Sequence, residues 1–208
     1  MKRIFLGDMD DRPQEPVPPV HHLDRIQVDR LVHAFSHWYD AAPTIFTRKV
    51  RGRYWLAFLC MRFTGARIGE VLRLNDVKDI NFDRSEILIS LEEEERRTPR
   101  VIPVPSTVIG GLSEYLREFP NMRGRVFALD QGNFRREFYR RAEEAEIPRE
   151  LSHPHILRHT RAVEMIRAGV PLVTVQVLLG HALSSTTVIY LERPRLTLKA
   201  ILEDKGLL

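Results

Sequence analysis

Cysteine and lysine are scarce in this 208-residue chain, and long apolar runs are absent from its N-terminus. The single cysteine, Cys60, excludes any disulfide within the chain. It lies in the apolar run from Tyr54 to Met61, the setting of a buried structural thiol and not of a nucleophile. Ile4-Phe5-Leu6 is followed at once by Asp8, Asp10 and Asp11, far short of a signal-peptide core, so a cytoplasmic protein is expected. Residues 168–191 contain no Asp, Glu, Lys or Arg, and such a stretch is long enough to span a bilayer. Pro171, Gln176, Gly180, His181 and the Ser184-Ser185-Thr186-Thr187 cluster argue instead for a buried or ligand-lining segment, with no membrane partner. At 43% hydrophobic and 29% charged, the chain fits an ordinary globular core and not a disordered or fibrous protein.

The lysine deficit is the most telling. Of 32 basic residues only Lys2, Lys49, Lys78, Lys199 and Lys205 are lysines, which leaves 27 arginines. The planar guanidinium fork suits phosphate oxygens, although arginine-favouring codon usage produces the same bias. Net charge is only +4 and the pI about 9.4, so overall charge merely hints at an acidic partner. Locally the imbalance is stronger. From Ala41 to Gly69 there is no acid, while Arg48, Lys49, Arg51, Arg53, Arg62 and Arg67 all occur. A solvated basic face would explain this, as would contact with a phosphate backbone.

Residues 1–22, with Pro13, Pro16, Pro18, Pro19 and several acids, read as a flexible N-terminal arm, and the domain proper starts at Leu23. Asp24 can cap a helix running to about Tyr39, and a second helix is expected from about Thr47. After a short helix ending near Leu74, Val77 to Ile80, Glu86 to Leu91 and Arg100 to Val104 read as three short strands, the last two forming a hairpin. Helical spacing then covers Ser106 to Phe119 and Gln131 to Glu146, and at least three more helices follow. The fold class expected is α+β, mainly helical, with a small three-stranded antiparallel sheet.

Four local patterns carry chemistry. In Thr64-Gly65-Ala66-Arg67-Ile68-Gly69-Glu70, Gly65 can end one helix and present Arg67 at the start of the next, where it could address an anion or simply pair with Glu70. In His153-Pro154-His155-Ile156-Leu157-Arg158-His159, a helix starting near Pro154 sets His155 and Arg158 one turn apart. His155 and His159 have the spacing of zinc ligands, but no glutamate follows the first histidine and no third ligand is evident, so no metal is expected. Leu178-Leu179-Gly180-His181 ends an apolar helix and exposes His181, and Tyr190 follows nine residues later. Two arginines, two histidines and a tyrosine suit attack by a phenolic oxygen on a phosphodiester, a reaction that needs no cofactor.

In chain order, Ala-Arg-Ile-Gly-Glu, His-Ile-Leu-Arg-His-Thr, Leu-Leu-Gly-His and Thr-Thr-Val-Ile-Tyr resemble the catalytic domain of the tyrosine recombinases, the phage integrase type, from about Leu23 to the C-terminus. The resemblance implies Arg67 and Arg158 as phosphate clamps, His155 and His181 as active-site histidines, and Tyr190 as the nucleophile that attaches to a DNA 3′ phosphate. It further implies double-stranded DNA as partner, a homo-tetramer on paired sites, and a last helix, Leu196 to Leu202, that docks on a neighbouring protomer. Arg48, Lys49, Arg51, Arg96 and Arg97 are the candidate DNA contacts. Two departures stand out. The family places a proton-donating lysine in the turn between the second and third strands, where this chain has Leu-Glu-Glu-Glu-Glu-Arg-Arg-Thr-Pro-Arg, and arginine is a poor proton donor at neutral pH. The family also carries a separate core-binding domain that residues 1–22 are too short to form, so weaker and more salt-sensitive DNA binding is expected. A catalytically weak DNA-binding regulator on the same fold is the alternative.

Overall fold

The computed structural model describes residues 21–90, 99–180 and 195–208. Asp24 opens helix α1 (Arg25–Asp40), accepting the Gln27 amide while the Gln27 side chain accepts the Asp24 amide in return. Thr44 caps α2 (Ile45–Thr64), and Gly65, at φ +65°, ends it in the left-handed region. The short helix α3 (Ile68–Leu72) follows directly. Three strands come next, β1 (Ile80–Asn81), β2 (Glu86–Ile89) and β3 (Arg100–Pro103). They form one antiparallel sheet in the order β1-β2-β3, with Ile87 opposite both Ile80 and Ile102.

The second half is helical: α4 (Ser106–Glu118), α5 (Gln131–Glu144), α6 (Ile156–Arg167), α7 (Leu172–Leu179) and α8 (Arg195–Asp204). The expected fold class is therefore the one observed, with a correction at the first strand. Val77 to Asp79 form a turn, because the Asn75 carboxamide accepts the Val77 and Lys78 amides while Asp79 accepts that of Asn75. That local capture of backbone donors outcompetes the sheet.

The core is centred on Phe35 of α1, Phe58 of α2, and Phe134 and Phe138 of α5, all inaccessible to solvent. Phe35 stacks on Phe58 with centroids 4.2 Å apart, and each such ring contributes on the order of 1.5–3 kcal/mol by leaving water. Cys60 is fully buried, and that burial pushes its thiol pKa up to about 12, which leaves it an inert core residue. Among the described residues, no helix is long and apolar enough to cross a membrane. Helix α8 lies against its own chain, with Leu202 buried and the Leu207 carbonyl accepting from Arg161 at 3.0 Å.

Candidate functional site

The ends of three helices meet at one buried guanidinium. Arg158, on the first turns of α6 and only 5% exposed, donates Nη1 to the Gly65 carbonyl at 3.0 Å and Nη2 to the Leu179 carbonyl. It thereby joins the C-terminus of α2 to that of α7. Gly65 allows this approach: a Cβ there would stand 2.6 Å from Leu179 Cδ2. The chain then turns through buried Ala66, so that Arg67 becomes the N-cap of α3.

Arg67 is half-buried, and its Nη1 is shielded from solvent with no hydrogen-bond partner among the described residues. A buried donor left unpaired costs about 1–3 kcal/mol, which an anion bound there would relieve. Behind Arg67, Glu70 accepts the Arg67 backbone N–H at 2.6 Å and the Arg100 guanidinium at 2.9 Å. Arg100 Nε in turn donates to the Leu178 carbonyl at 2.7 Å. The last two carbonyls of α7 are thus held by two buried arginines, a favourable place for cations at the negative end of a helix. Gly180 follows at φ +67°, and His181 is the next residue in sequence.

An open cavity of about 430 Å³ is lined by Arg67, Glu70 and Arg73 on one side, Arg135 and Tyr139 of α5 on another, and His153 and His155 on a third. His155 meets His159 edge to face at 4.7 Å. Partial desolvation and then the positive charges of His159, Arg158, His153 and Arg67 push the His155 pKa down to about 4, so its imidazole is neutral near pH 7. His153 and His159 are lowered too, chiefly by burial. Among the described residues, no cluster of three His, Cys, Asp or Glu side chains is arranged to hold a metal ion.

Of the residues expected from sequence, Arg67 and His155 line this cavity, while Arg158 does not line it but is bonded to the carbonyl of Gly65, the residue before the cavity-lining Ala66. His181 and Tyr190, with Arg96 and Arg97, lie outside the described residues. Arg48, Lys49 and Arg51 are at the other end of α2, about 25 Å from Gly65 at the helical rise. There Arg48 pairs with Glu118 at 3.3 Å over the Tyr39 ring, and Arg51 donates to the Trp38 carbonyl at 2.7 Å. The Lys49 carbonyl accepts the Tyr115 hydroxyl at 2.8 Å. Sequence reasoning misses Arg100, Arg73, Arg135, Tyr139 and His153. For Arg100 a signal exists: in the alternation of β3 it falls in phase with buried Ile102, and a cation on an inward face needs a buried partner.

The sequence matches the model of the phage integrase family over residues 22–195. It is 33% identical over 182 residues to a tyrosine recombinase of Thermosipho africanus, a match covering 83% of this chain and 62% of the relative. It is 30% identical over 141 residues to the tyrosine recombinase XerA of Thermococcus onnurineus, covering 65% of this chain and 49% of the relative. The chain therefore spans 62% and 49% of these relatives' lengths. Among solved structures, the XerH site-specific recombinase bound to its difH substrate in a pre-cleavage complex superposes with a TM-score of 0.65 and 26% identity, over 86% of this chain and 51% of that one. XerA recombinase shares the fold at a TM-score of 0.64 and 23% identity, over 92% of this chain and 65% of that one.

Proposed function

The chain belongs to the phage integrase family, and from that premise we propose that it cleaves and rejoins DNA strands site-specifically through a covalent 3′-phosphotyrosine at Tyr190. The observation that carries the proposal is the cavity at Arg67. There a buried guanidinium nitrogen, unpartnered among the described residues, stands beside His155, with Arg158 fixed behind by two backbone carbonyls. Arg67 and Arg158 hold the non-bridging oxygens of the scissile phosphate. Preorganised charge of this kind contributes most as negative charge builds in the pentacoordinate transition state. The neutral imidazole of His155 accepts the Tyr190 proton, and His181, next after the restrained end of α7, hydrogen-bonds the phosphoryl group.

Double-stranded DNA lies along the cavity, with Gln131, Arg135 and Tyr139 of α5 facing it, and Arg96 and Arg97, which fall between β2 and β3 in sequence, serve as further phosphate contacts. Arg48, Lys49 and Arg51 enter as outlying phosphate contacts. Four protomers on paired sites complete strand exchange, with residues 1–22 as an arm ahead of the catalytic domain.

The test incubates wild type and Tyr190→Phe with supercoiled DNA carrying the flanking region of the gene, and with nicked duplexes that trap the intermediate. A covalent protein–DNA band on a denaturing gel, lost in Tyr190→Phe, is the expected result. Binding without any adduct would overturn the proposal and favour a DNA-binding regulator.

A further inference from the structure

Resting on that function, in that DNA is the competitor, we propose that the Arg67 cavity has a second occupant: the acidic segment Asp8-Met9-Asp10-Asp11 of this same chain, which DNA must displace to enter. The segment lies ahead of the described residues, and its sequence holds three carboxylates in four positions. The cavity is its opposite in charge. Arg67, Arg73 and Arg135 line it against a single acid, Glu70, whose Oε2 already accepts from Arg100 and from the Arg67 N–H. A carboxylate offers a guanidinium two acceptor oxygens, as a phosphate does. Arg67 Nη1, shielded from solvent and without a hydrogen-bond partner among the described residues, is a donor that such an oxygen satisfies.

The chain enters the folded domain beside this cavity. Leu23 is buried, and its N–H donates to Thr160 Oγ1 on α6 at 3.0 Å, which fixes the point from which residues 1–22 start. Thr160 stands five residues beyond the cavity-lining His155, about 8 Å along the helix. Asp11 is twelve positions before Leu23, and a stretch of that length spans up to about 40 Å. The acidic segment therefore reaches the Arg67 wall from its own attachment point with length to spare.

Attachment makes a weak contact effective. A tether this short gives a local concentration of about 1 mM, so an intrinsic dissociation constant near 0.1 mM fills the cavity about nine-tenths of the time. DNA affinity then falls about tenfold, because only the empty fraction is competent to bind. A duplex still wins at sufficient concentration, since its phosphates extend past the cavity and release counterions that three carboxylates do not. Isolated phosphates and short nonspecific duplexes are the ligands that the acidic segment excludes best.

The experiment uses the full chain in two forms. In the first, Met9→Cys carries a nitroxide, which buried Cys60 does not take up. NMR then follows His155 and Tyr139 on two walls of the cavity, with Tyr115, bonded to the Lys49 carbonyl near the far end of α2, as the distant reference. Selective broadening of His155 and Tyr139 that a short duplex abolishes is the expected result. In the second, Asp8→Asn, Asp10→Asn and Asp11→Asn are combined, and duplex affinity is compared with a control that neutralises exposed Asp29, Asp83 and Glu143 instead. The acidic-segment variant is expected to bind about tenfold more tightly than wild type, and the control to change by less than about threefold. No broadening, or equal tightening in the two variants, would overturn the proposal. So would broadening that vanishes on dilution, which places the segment of another copy in the cavity. A chain that passes both tests yet forms no covalent adduct keeps this contact and loses strand cleavage, so the two failures are told apart.

Discussion

Arg100 and Glu70 form an ion pair at 2.9 Å with side chains only 5% and 1% exposed, and through it the sheet is tied to the helix that presents Arg67. Removing one member of such a pair strands a charge in a low-dielectric interior, which costs about 3–5 kcal/mol, whereas removing both together is far milder. Arg100→Met is therefore expected to lose about that much stability in urea unfolding, and Glu70→Gln combined with Arg100→Met to recover much of it. A loss below about 1 kcal/mol in the single variant, the range of an exposed pair, would contradict the structure.

Acid weakens the protein in two separable windows. The His155 pKa is about 4 when folded, well under the ordinary value near 6.5, so between these limits the unfolded chain binds more protons and stability falls as pH falls. Glu70 is lowered when folded, and its contribution is present above the ordinary carboxylate value near 4.3 and lost as pH drops below it. Urea midpoints from about pH 7.5 to about pH 3.5 are expected to decline throughout. His155→Gln should flatten the decline above about pH 5 and Glu70→Gln below about pH 4.5. A His155 resonance titrating near the ordinary value of about 6.5 in NMR would refute the first assignment.

Gly180 and Gly206 make a matched pair for measuring what the end of α7 requires. Both sit in the left-handed region, at φ +67° and +64°, so alanine at either incurs backbone strain of about 1–2 kcal/mol. A Cβ on Gly206 meets open space, but one on Gly180 would stand 2.6 Å from Arg100 Nη1. Gly180→Ala should therefore cost more than Gly206→Ala in thermal unfolding. It alone should reduce adduct formation, because displacing Arg100 frees the Leu178 carbonyl three residues before His181. Equal effects from the two variants would separate Arg100 from the site.

Much of this architecture is written locally. Asp24 caps α1, Gly65 and Gly180 end α2 and α7, and each is read from residue type and the apolar spacing around it. The first strand is misread from sequence because alternation from Val77 to Ile80 says nothing of the Asn75 side chain that captures two of those amides. The convergence of Arg67 on Arg158 spans more than 90 positions and leaves no periodic trace, so only the ordered motifs point to it. Arg135, Tyr139 and His153 are hidden for a related reason. Their side chains share a cavity only once α5 and the segment before α6 have packed across α3.

Salt dependence distinguishes the arginines that face the cavity from those held elsewhere. Each phosphate that the protein ceases to neutralise lowers the slope of log affinity against log salt by about 0.9, whatever the sequence of the duplex. Arg135 is exposed on α5 and lines the cavity beside Tyr139, where a 3.2 Å hydrogen bond to the Gln131 side chain is a weak tie to give up. Arg135→Ala is expected to reduce the slope by about 0.9 and to weaken binding to specific and nonspecific duplexes alike. Arg48 must first relinquish Glu118 and the face of Tyr39, so Arg48→Ala should change the slope less and the stability more. The reverse order in fluorescence anisotropy titrations between about 50 and 200 mM salt, a span over which such slopes are readily resolved, would place the DNA along the far end of α2 and away from the Arg67 cavity.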